Sequence, residues 1–309
     1  MTQSCIATIV ICTYNRAEWL AQCLSSLQPQ LQGIGDVEVL VVDNNSTDHT
    51  ADLVWRMAPD FPRLRYVREA RQGLSHARNR GVKESAAEWL AFLDDDARVL
   101  PGYTDRLVAL VEAGAFDVVA GVYLPWYSEG KKSWFRDVYA SNQSLACCYG
   151  ELPPDRFASG GIMLANKQLI ESLGGFDPAL GMAGAQAGYG EETRLQRQIR
   201  QAGGRIGVDP AWQIEHLTQK SKQRLRWLLS SAWQVGHDSW RTFGRTPSGW
   251  RMLLLLPGLI TRPLRGIHRE LFTTDERTTW QTLMVAAGQP LARTAGELVS
   301  GLHQMWRRS

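Results

Sequence analysis

The chain is poor in the features that would place it in a specialised class. Its five cysteines, Cys5, Cys12, Cys23, Cys147 and Cys148, are odd in number and fall at no metal-ligand spacing, which argues against a disulfide scaffold or a zinc module. They read as free thiols in a reducing, cytoplasmic compartment. The N-terminal "MTQSCIATIVIC" lacks the basic flank and small-residue cleavage site of a signal peptide. The most apolar run, "MLLLLPGLI" over 252–260, is interrupted by Pro257 and falls far short of the roughly 20 residues a spanning helix needs. Such a run could lie on a membrane but could not cross one alone. There is no internal repeat and no low-complexity tract, and no nucleic-acid partner is expected.

What is present is an ordinary globular composition, 44% hydrophobic and 21% charged over 309 residues, enough for one large or two ordinary domains. The net charge of +3 conceals a division. Residues 1–217 carry 20 Lys+Arg against 26 Asp+Glu, whereas 218–309 carry 14 against 5. The basic part also holds six of the twelve tryptophans. An acidic body with a basic, Trp-rich tail points to an anionic surface as partner.

Strand and helix periods alternate through the first 120 residues. Buried-strand runs at 5–13, 36–43, 63–69 and 88–94 are separated by helical spacings at 15–28, 46–58 and 74–86, the second opening on a capping residue at Ser46. Short connections of this kind imply a mostly parallel sheet flanked by helices, extended by strands near 117–123 and 161–166. The stretch 124–158 is aromatic and irregular, and the glycine-rich 174–190 reads as a mobile loop. From about 221 the pattern is helical, broken by prolines. In parallel sheets, ligands sit at the carboxyl ends of the strands. Here those ends read Thr13-Tyr14-Asn15-Arg16, Asp43-Asn44-Asn45 and Asp94-Asp95-Asp96, so three polar clusters converge on one edge. Each cluster alone could be a turn or a helix cap. Three adjacent carboxylates repel one another unless a cation compensates them.

Seven ordered stretches, "TIVICTYNR", "VLVVDNNSTD", "GLSHARNRG", "AFLDDDA", "SGGIML", "GGFD" and "GYGEETRL", resemble the signatures of family 2 inverting glycosyltransferases of the GT-A fold, over about residues 6–216. The resemblance implies an α/β nucleotide-diphospho-sugar transferase fold over 1–220, with 221–309 as a helical C-terminal extension. It implies that Thr13, Tyr14, Arg16 and Asp43 bind the nucleotide, with Arg78 near the base and diphosphate, Asp94 towards the ribose or a bound water, and Asp95 beside it in the donor site. Asp96 and Asp94 form the DxD that holds Mg²⁺ or Mn²⁺, and His216, read as following a strand, completes the metal shell. Glu192 is the expected base, with Glu191 beside it where similar enzymes carry Glu-Asp or Asp-Asp. Gly160 and Gly161 would let the backbone approach sugar or acceptor, and Asp177 is a turn acid. "QRLRW" (223–227) matches the QxxRW pattern of processive synthases and would put Arg226 and Trp227 at the acceptor, although no spanning helices accompany it.

The expected activity is a metal-dependent, single-displacement transfer from a nucleotide-diphosphate sugar, UDP-sugar favoured, to a glycan or lipid-linked acceptor in polysaccharide biosynthesis. Two alternatives stand beside it: a catalytically silent nucleotide-sugar-binding subunit, and a sugar nucleotidyltransferase, which should carry a glycine-rich loop where "CTYNRAEW" has no glycine. The tail is expected to hold the enzyme peripherally on the inner face of the cell membrane. Its alternatives are a helical cap on the sheet or a homodimer contact.

Overall fold

The computed structural model describes residues 5–34, 36–61, 63–145, 147–184, 187–272 and 276–306. Residues 185 and 186 of the expected glycine-rich loop, 273–275 and 307–309 of the tail, and 1–4 of the N-terminal stretch lie outside the described residues. The chain divides into two compact units. The first comprises 1–126, 140–179 and 191–217. The second comprises 127–139, 180–190 and 218–309, and so draws in two segments from the middle of the sequence as well as the tail.

The first unit is built on a nine-stranded sheet: β1 (Ala7–Thr13), β2 (Val37–Asp43), β3 (Leu64–Arg68), β4 (Trp89–Asp94), β5 (Ala97–Val99), β6 (Val118–Trp126), β7 (Gly150–Glu151), β8 (Ile162–Asn166) and β9 (Ile206–Leu217). Its order is β3-β2-β1-β4-β8-β6-β9-β5, with β7 paired to β9. The helices of this unit are α1 (Ala17–Leu27), α2 (Thr50–Met57), α3 (Leu74–Glu84), α4 (Tyr103–Ala113), α5 (Lys167–Ser172) and α6 (Glu191–Gln201). Strands β3, β2, β1 and β4 are mutually parallel, as strand–helix alternation requires. Their alternate residues enter two cores, one on each face. Ile9, Ile11, Val39, Val41 and Leu93 pack with Leu20, Leu24 and Leu107. Val10, Leu40, Val42 and Phe92 pack with Ala77, Ile170, Leu195 and Ile199 on the other side. Each such side chain removed from water is worth about 1.5–3 kcal/mol, which is why the central strands read as unbroken β-branched runs.

Two departures from the parallel pattern matter for the site. Strand β8 lies antiparallel to β4, so its first residues return to the carboxyl end of β4, where Asp94 N donates to Gly161 O at 3.3 Å. Directly after the aspartates the chain reverses into β5, which pairs antiparallel with β9 and sets Ala97 opposite His216. His216 therefore lies within a twelve-residue strand rather than after one. Pro210 obscures that strand in the sequence because proline cannot donate to a ladder. It falls where β9's pairing with β6 shifts register, between Val208 and Gln213. One further correction concerns α2. It begins at Thr50, not near Ser46, and Asp48 Oδ1 accepts from Thr50 N. Ser46 Oγ and the Thr47 and Asp48 amides bind Asn15 instead, locking the loops after β1 and β2 together.

The second unit contains α7 (Leu225–Thr242), α8 (Gly249–Leu253), α9 (Gly258–Phe272) and α10 (Trp280–Trp306). Among the described residues, no helix is long and apolar enough to cross a membrane. Within this unit Arg136 is buried and forms a two-pronged pair with Glu270 of α9, at 2.7 and 2.8 Å.

Candidate active site

The carboxyl ends of β1, β2 and β4 are in register, Thr13 beside Asp43 and Cys12 beside Asp94, so the three polar clusters do share one edge. The aspartates are compensated by the protein itself. Asp95 accepts from Thr13 Oγ1 at 2.7 Å and from Arg16 at 3.2 Å, and the same guanidinium nitrogen lies 3.2 Å from Asp96. His216 Nε2 lies 3.2 Å from Asp94 Oδ2 and 3.1 Å from Asp96 Oδ1.

These contacts set the protonation of the cluster. Burial would depress the His216 imidazolium, but the carboxylates of Asp96 and Asp94 outweigh it and lift the group to about 10. Burial would raise Asp94, yet the His216 contact brings it below its ordinary value. Asp95, buried and beside the charge of Asp96, is pushed up to about 7 despite Arg16 and Thr13.

Asp94, Asp96 and His216 present their ligand atoms within 4.8 Å of one another, the one such trio among the described residues. Two carboxylate oxygens and an imidazole nitrogen form a donor set suited to a hard or borderline divalent cation. The spacing fits as well. Neighbouring ligands around an octahedral Mg²⁺ at about 2.1 Å stand roughly 3.0 Å apart, and the imidazole nitrogen lies 3.1–3.2 Å from both oxygens. A single ring N–H cannot donate well to both carboxylates at once, whereas one shared cation satisfies all three groups.

The second acidic pair opens α6. Glu191 and Glu192 occupy its first turn, where the helix dipole favours negative charge. Glu191 is buried and paired with the Arg78 guanidinium, whose other nitrogen lies 4.0 Å from Asp94 Oδ1. Arg78 is therefore not a solvated helix residue but a buried bridge between the two acidic groups, stacked over Phe176. Glu192 differs from Glu191. Its Oε2 is buried with no hydrogen-bond partner, and burial together with the Glu191 charge pushes its carboxyl up to about 8, against the pull of Arg78. A raised carboxyl with an open lone pair is suited to accept a proton. Gln196, one turn further on, fixes the helix by bonding both the N–H and the C=O of Ala158, at 2.7 and 3.0 Å.

The remaining expected residues are placed as follows. Asp43 is buried at the strand end, Oδ1 accepting from Ser46 N at 2.8 Å and Oδ2 from Tyr66 at 2.6 Å. It thus forms the turn, and each oxygen keeps a further lone pair. Tyr14 is half-buried and follows Thr13, the register partner of Asp43. At Gly160 and Gly161, the space a side chain would fill is already taken by the guanidinium of Arg78 and the carboxylate of Asp94. Their smallness is accounted for by these catalytic-edge side chains. Asp177 holds its own turn, accepting from Ala179 N and pairing with Arg194. Arg226 and Trp227 lie at the start of α7 in the second compact unit, both exposed. The sequence reading missed Tyr66 and Gln196, which have no motif; only the tyrosine's place in β3, two residues before Arg68, the register partner of Asp43, hints at it.

A family model described as glycosyl transferase family 2 matches residues 8–174. Glycosyltransferase AglE of Haloferax volcanii is 25% identical over 296 residues, 94% of either chain. The succinoglycan biosynthesis protein ExoM of Rhizobium meliloti is 26% identical over 246 residues, 79% of this chain and 77% of its own. Among solved structures, the mannosyltransferase PcManGT from Pyrobaculum calidifontis, in complex with GDP-Man and Mn²⁺, superposes with a TM-score of 0.61 at 19% identity, covering 99% of this chain and 88% of its own.

Proposed function

The chain belongs to glycosyl transferase family 2 and folds as a GT-A glycosyltransferase, and on that premise we propose a metal-dependent, inverting transfer from a nucleotide-diphosphate sugar to a hydroxyl acceptor. The observation that carries it is the pairing, across Arg78, of a three-ligand cation site with a raised Glu192 carboxyl whose Oε2 has no hydrogen-bond partner. Asp94, Asp96 and His216 would hold Mg²⁺ or Mn²⁺. When bound, the ion supplies Lewis-acid stabilisation of the negative charge that grows on the departing diphosphate.

The protein's own residues do the rest. Thr13, Tyr14 and Asp43 line the strand ends where base and ribose are expected, and Arg16 and Asp95 lie beside them. Glu192 takes the proton of the acceptor hydroxyl as its oxygen bonds to the anomeric carbon and the carbon–phosphate oxygen bond breaks. With one base and one displacement, the anomeric configuration inverts. Glu191 is neutralised by Arg78, which leaves Glu192 as the proton acceptor of the pair. The proposed donor is a UDP-sugar, and the acceptor a glycan or lipid-linked glycan precursor, a reading supported by the succinoglycan name of one relative. GDP-mannose, held by the solved neighbour, is the comparison donor.

The test is a nucleotide-release assay with a panel of UDP- and GDP-sugars, with and without Mn²⁺. Glu192→Gln should lose about 10²–10⁴ in turnover while a thermal-shift assay still reports donor binding. Turnover undiminished in the variant, or metal-independent release in the wild type, would overturn the reading. A chain that binds donor but releases nothing would instead be a binding subunit.

A further inference from the structure

The second compact unit is turned inside out with respect to size. Among its described residues 218–306, only Leu228, Trp240, Met252 and Val285 are large apolar side chains in the buried class, against sixteen that are exposed. In the first unit only Trp55 and Tyr149 are large, apolar and exposed, among the described residues. The closest backbone approaches between helices are made at small residues. A methyl group added at Gly236 would overlap the Arg293 carbonyl, one at Gly266 the Ala286 carbonyl, and one at Gly296 the Trp233 carbonyl. Ser239, Thr282, Thr294 and Ser300 are buried with them. In water, the hydrophobic effect would send the large side chains inward. Helices that join through small residues and carry Leu, Ile and Trp outward follow the packing rule of proteins whose surroundings are lipid.

The outward side chains also form ordered faces. On α9, Ile260, Leu264 and Leu271 recur at i, i+4 and i+11 and are 67%, 58% and 50% exposed. Arg265 and Arg269 flank that stripe and are exposed. On α10, Trp280, Met284, Leu291, Leu302 and Trp306 share one face of a 27-residue helix, with a tryptophan at each end. Helix α8 and its C-cap add Trp250, Leu253 and Leu254.

We infer that this face of the second unit is a monotopic docking surface for an anionic lipid bilayer, with α9 lying in the plane of the interface. Among the described residues no helix is long and apolar enough to span, so the surface is placed in the interface to the depth of its apolar stripes. Charge selects the occupant. Residues 218–309 carry 14 Lys+Arg against 5 Asp+Glu, and of those acids Glu270 is buried against Arg136. A second copy of the chain would present the same positive sign and be repelled, whereas anionic headgroups attract each suitably placed cation about fivefold in affinity. This inference stands independently of the catalytic reading, since it concerns residues outside the acid clusters.

The test is flotation of the full-length chain with phosphatidylcholine vesicles, with and without phosphatidylglycerol, at low and high salt. Wild type should float with the anionic vesicles, less at high salt, and brominated lipid should quench its tryptophan fluorescence. Ile260→Gln/Leu264→Gln/Leu271→Gln removes the apolar stripe without adding charge and should weaken binding more than tenfold. Arg265→Gln/Arg269→Gln should weaken it several-fold at low salt only. Because all five positions are exposed, circular dichroism and donor-induced thermal shift should match wild type. Failure of wild type to float at low salt overturns the inference. So does a folded triple variant that floats normally, or a dimer in light scattering that the triple variant abolishes while wild type ignores vesicles. If the triple variant fails to fold, the arginine pair and the quenching of wild type decide.

Discussion

The protonation of Glu192 gives the sharpest check on the catalytic assignment. Burial and the adjacent Glu191 charge raise its carboxyl from an ordinary 4.5 to about 8. The free enzyme's kcat/KM should therefore rise tenfold per pH unit from the acid side and level off above about pH 8. Near pH 6 only about one molecule in a hundred carries the ionised base, so the rate should sit about 100-fold below its plateau. An unperturbed glutamate would leave the same interval flat. Substitutions at the neighbours separate the two acids. Glu191→Gln removes a repelling charge and frees Arg78 from its closest carboxylate, so the limb should move to lower pH with turnover retained. Glu192→Gln should abolish both limb and turnover. The assay is initial-rate nucleotide release against pH at subsaturating substrate. A flat profile through neutral pH, or a limb that survives Glu192→Gln, refutes the reasoning. The same shift has a stability consequence of fixed sign. The folded chain holds a proton that the unfolded chain would release, so this group favours folding below 4.5, and that contribution fades as pH climbs through about 8.

Three other outcomes are expected. His216 is held up to about 10, so Mn²⁺ entering at neutral pH should expel about one proton. Calorimetric titrations in buffers of different ionisation enthalpy measure that release, and His216→Gln should eliminate it. Gly161→Ala places a methyl group on the Asp94 carboxylate and should weaken Mn²⁺-dependent donor binding at least about tenfold, read as a lost thermal shift in a folded protein. Arg136→Leu takes the two-pronged guanidinium away from the buried Glu270 carboxylate and should cost about 3–5 kcal/mol. The double variant Arg136→Leu/Glu270→Leu should recover most of that in thermal or denaturant melts.

The central sheet and the acidic edge were legible because their causes are local. Strands buried on both faces must be apolar throughout, and strand ends must then carry whatever chemistry the edge performs. What the sequence concealed depends on long-range pairing. The three residues of β5 are too few to show a period, and β9 is interrupted by Pro210, so nothing in one dimension sets Ala97 beside His216. The antiparallel return of β8 is equally silent, yet it brings Gly161 against Asp94. Arg78 is expected at the donor site from its motif, but only the folded arrangement shows it buried between Glu191 and Asp94. The tail was readable as basic and Trp-rich. That its helices meet through glycine and point leucine outward required coordinates.

Three adjacent aspartates raise the question of how the chain tolerates them before any ion binds. If a divalent cation were the only compensation, the metal-free chain would carry the full repulsion and fold poorly without it. The structure gives a different balance. Arg16 spans Asp95 and Asp96, protonated His216 spans Asp94 and Asp96, and Asp95 is itself drawn toward neutrality. The site is thus close to neutral, and the proton on His216 is held there by the two carboxylates it faces. On the proposed metal site, an arriving cation would replace a proton rather than fill a void of charge. Affinity must then rise with pH up to about 10 while the fold itself stays independent of the metal, a combination that a site assembled only by its ion could not show.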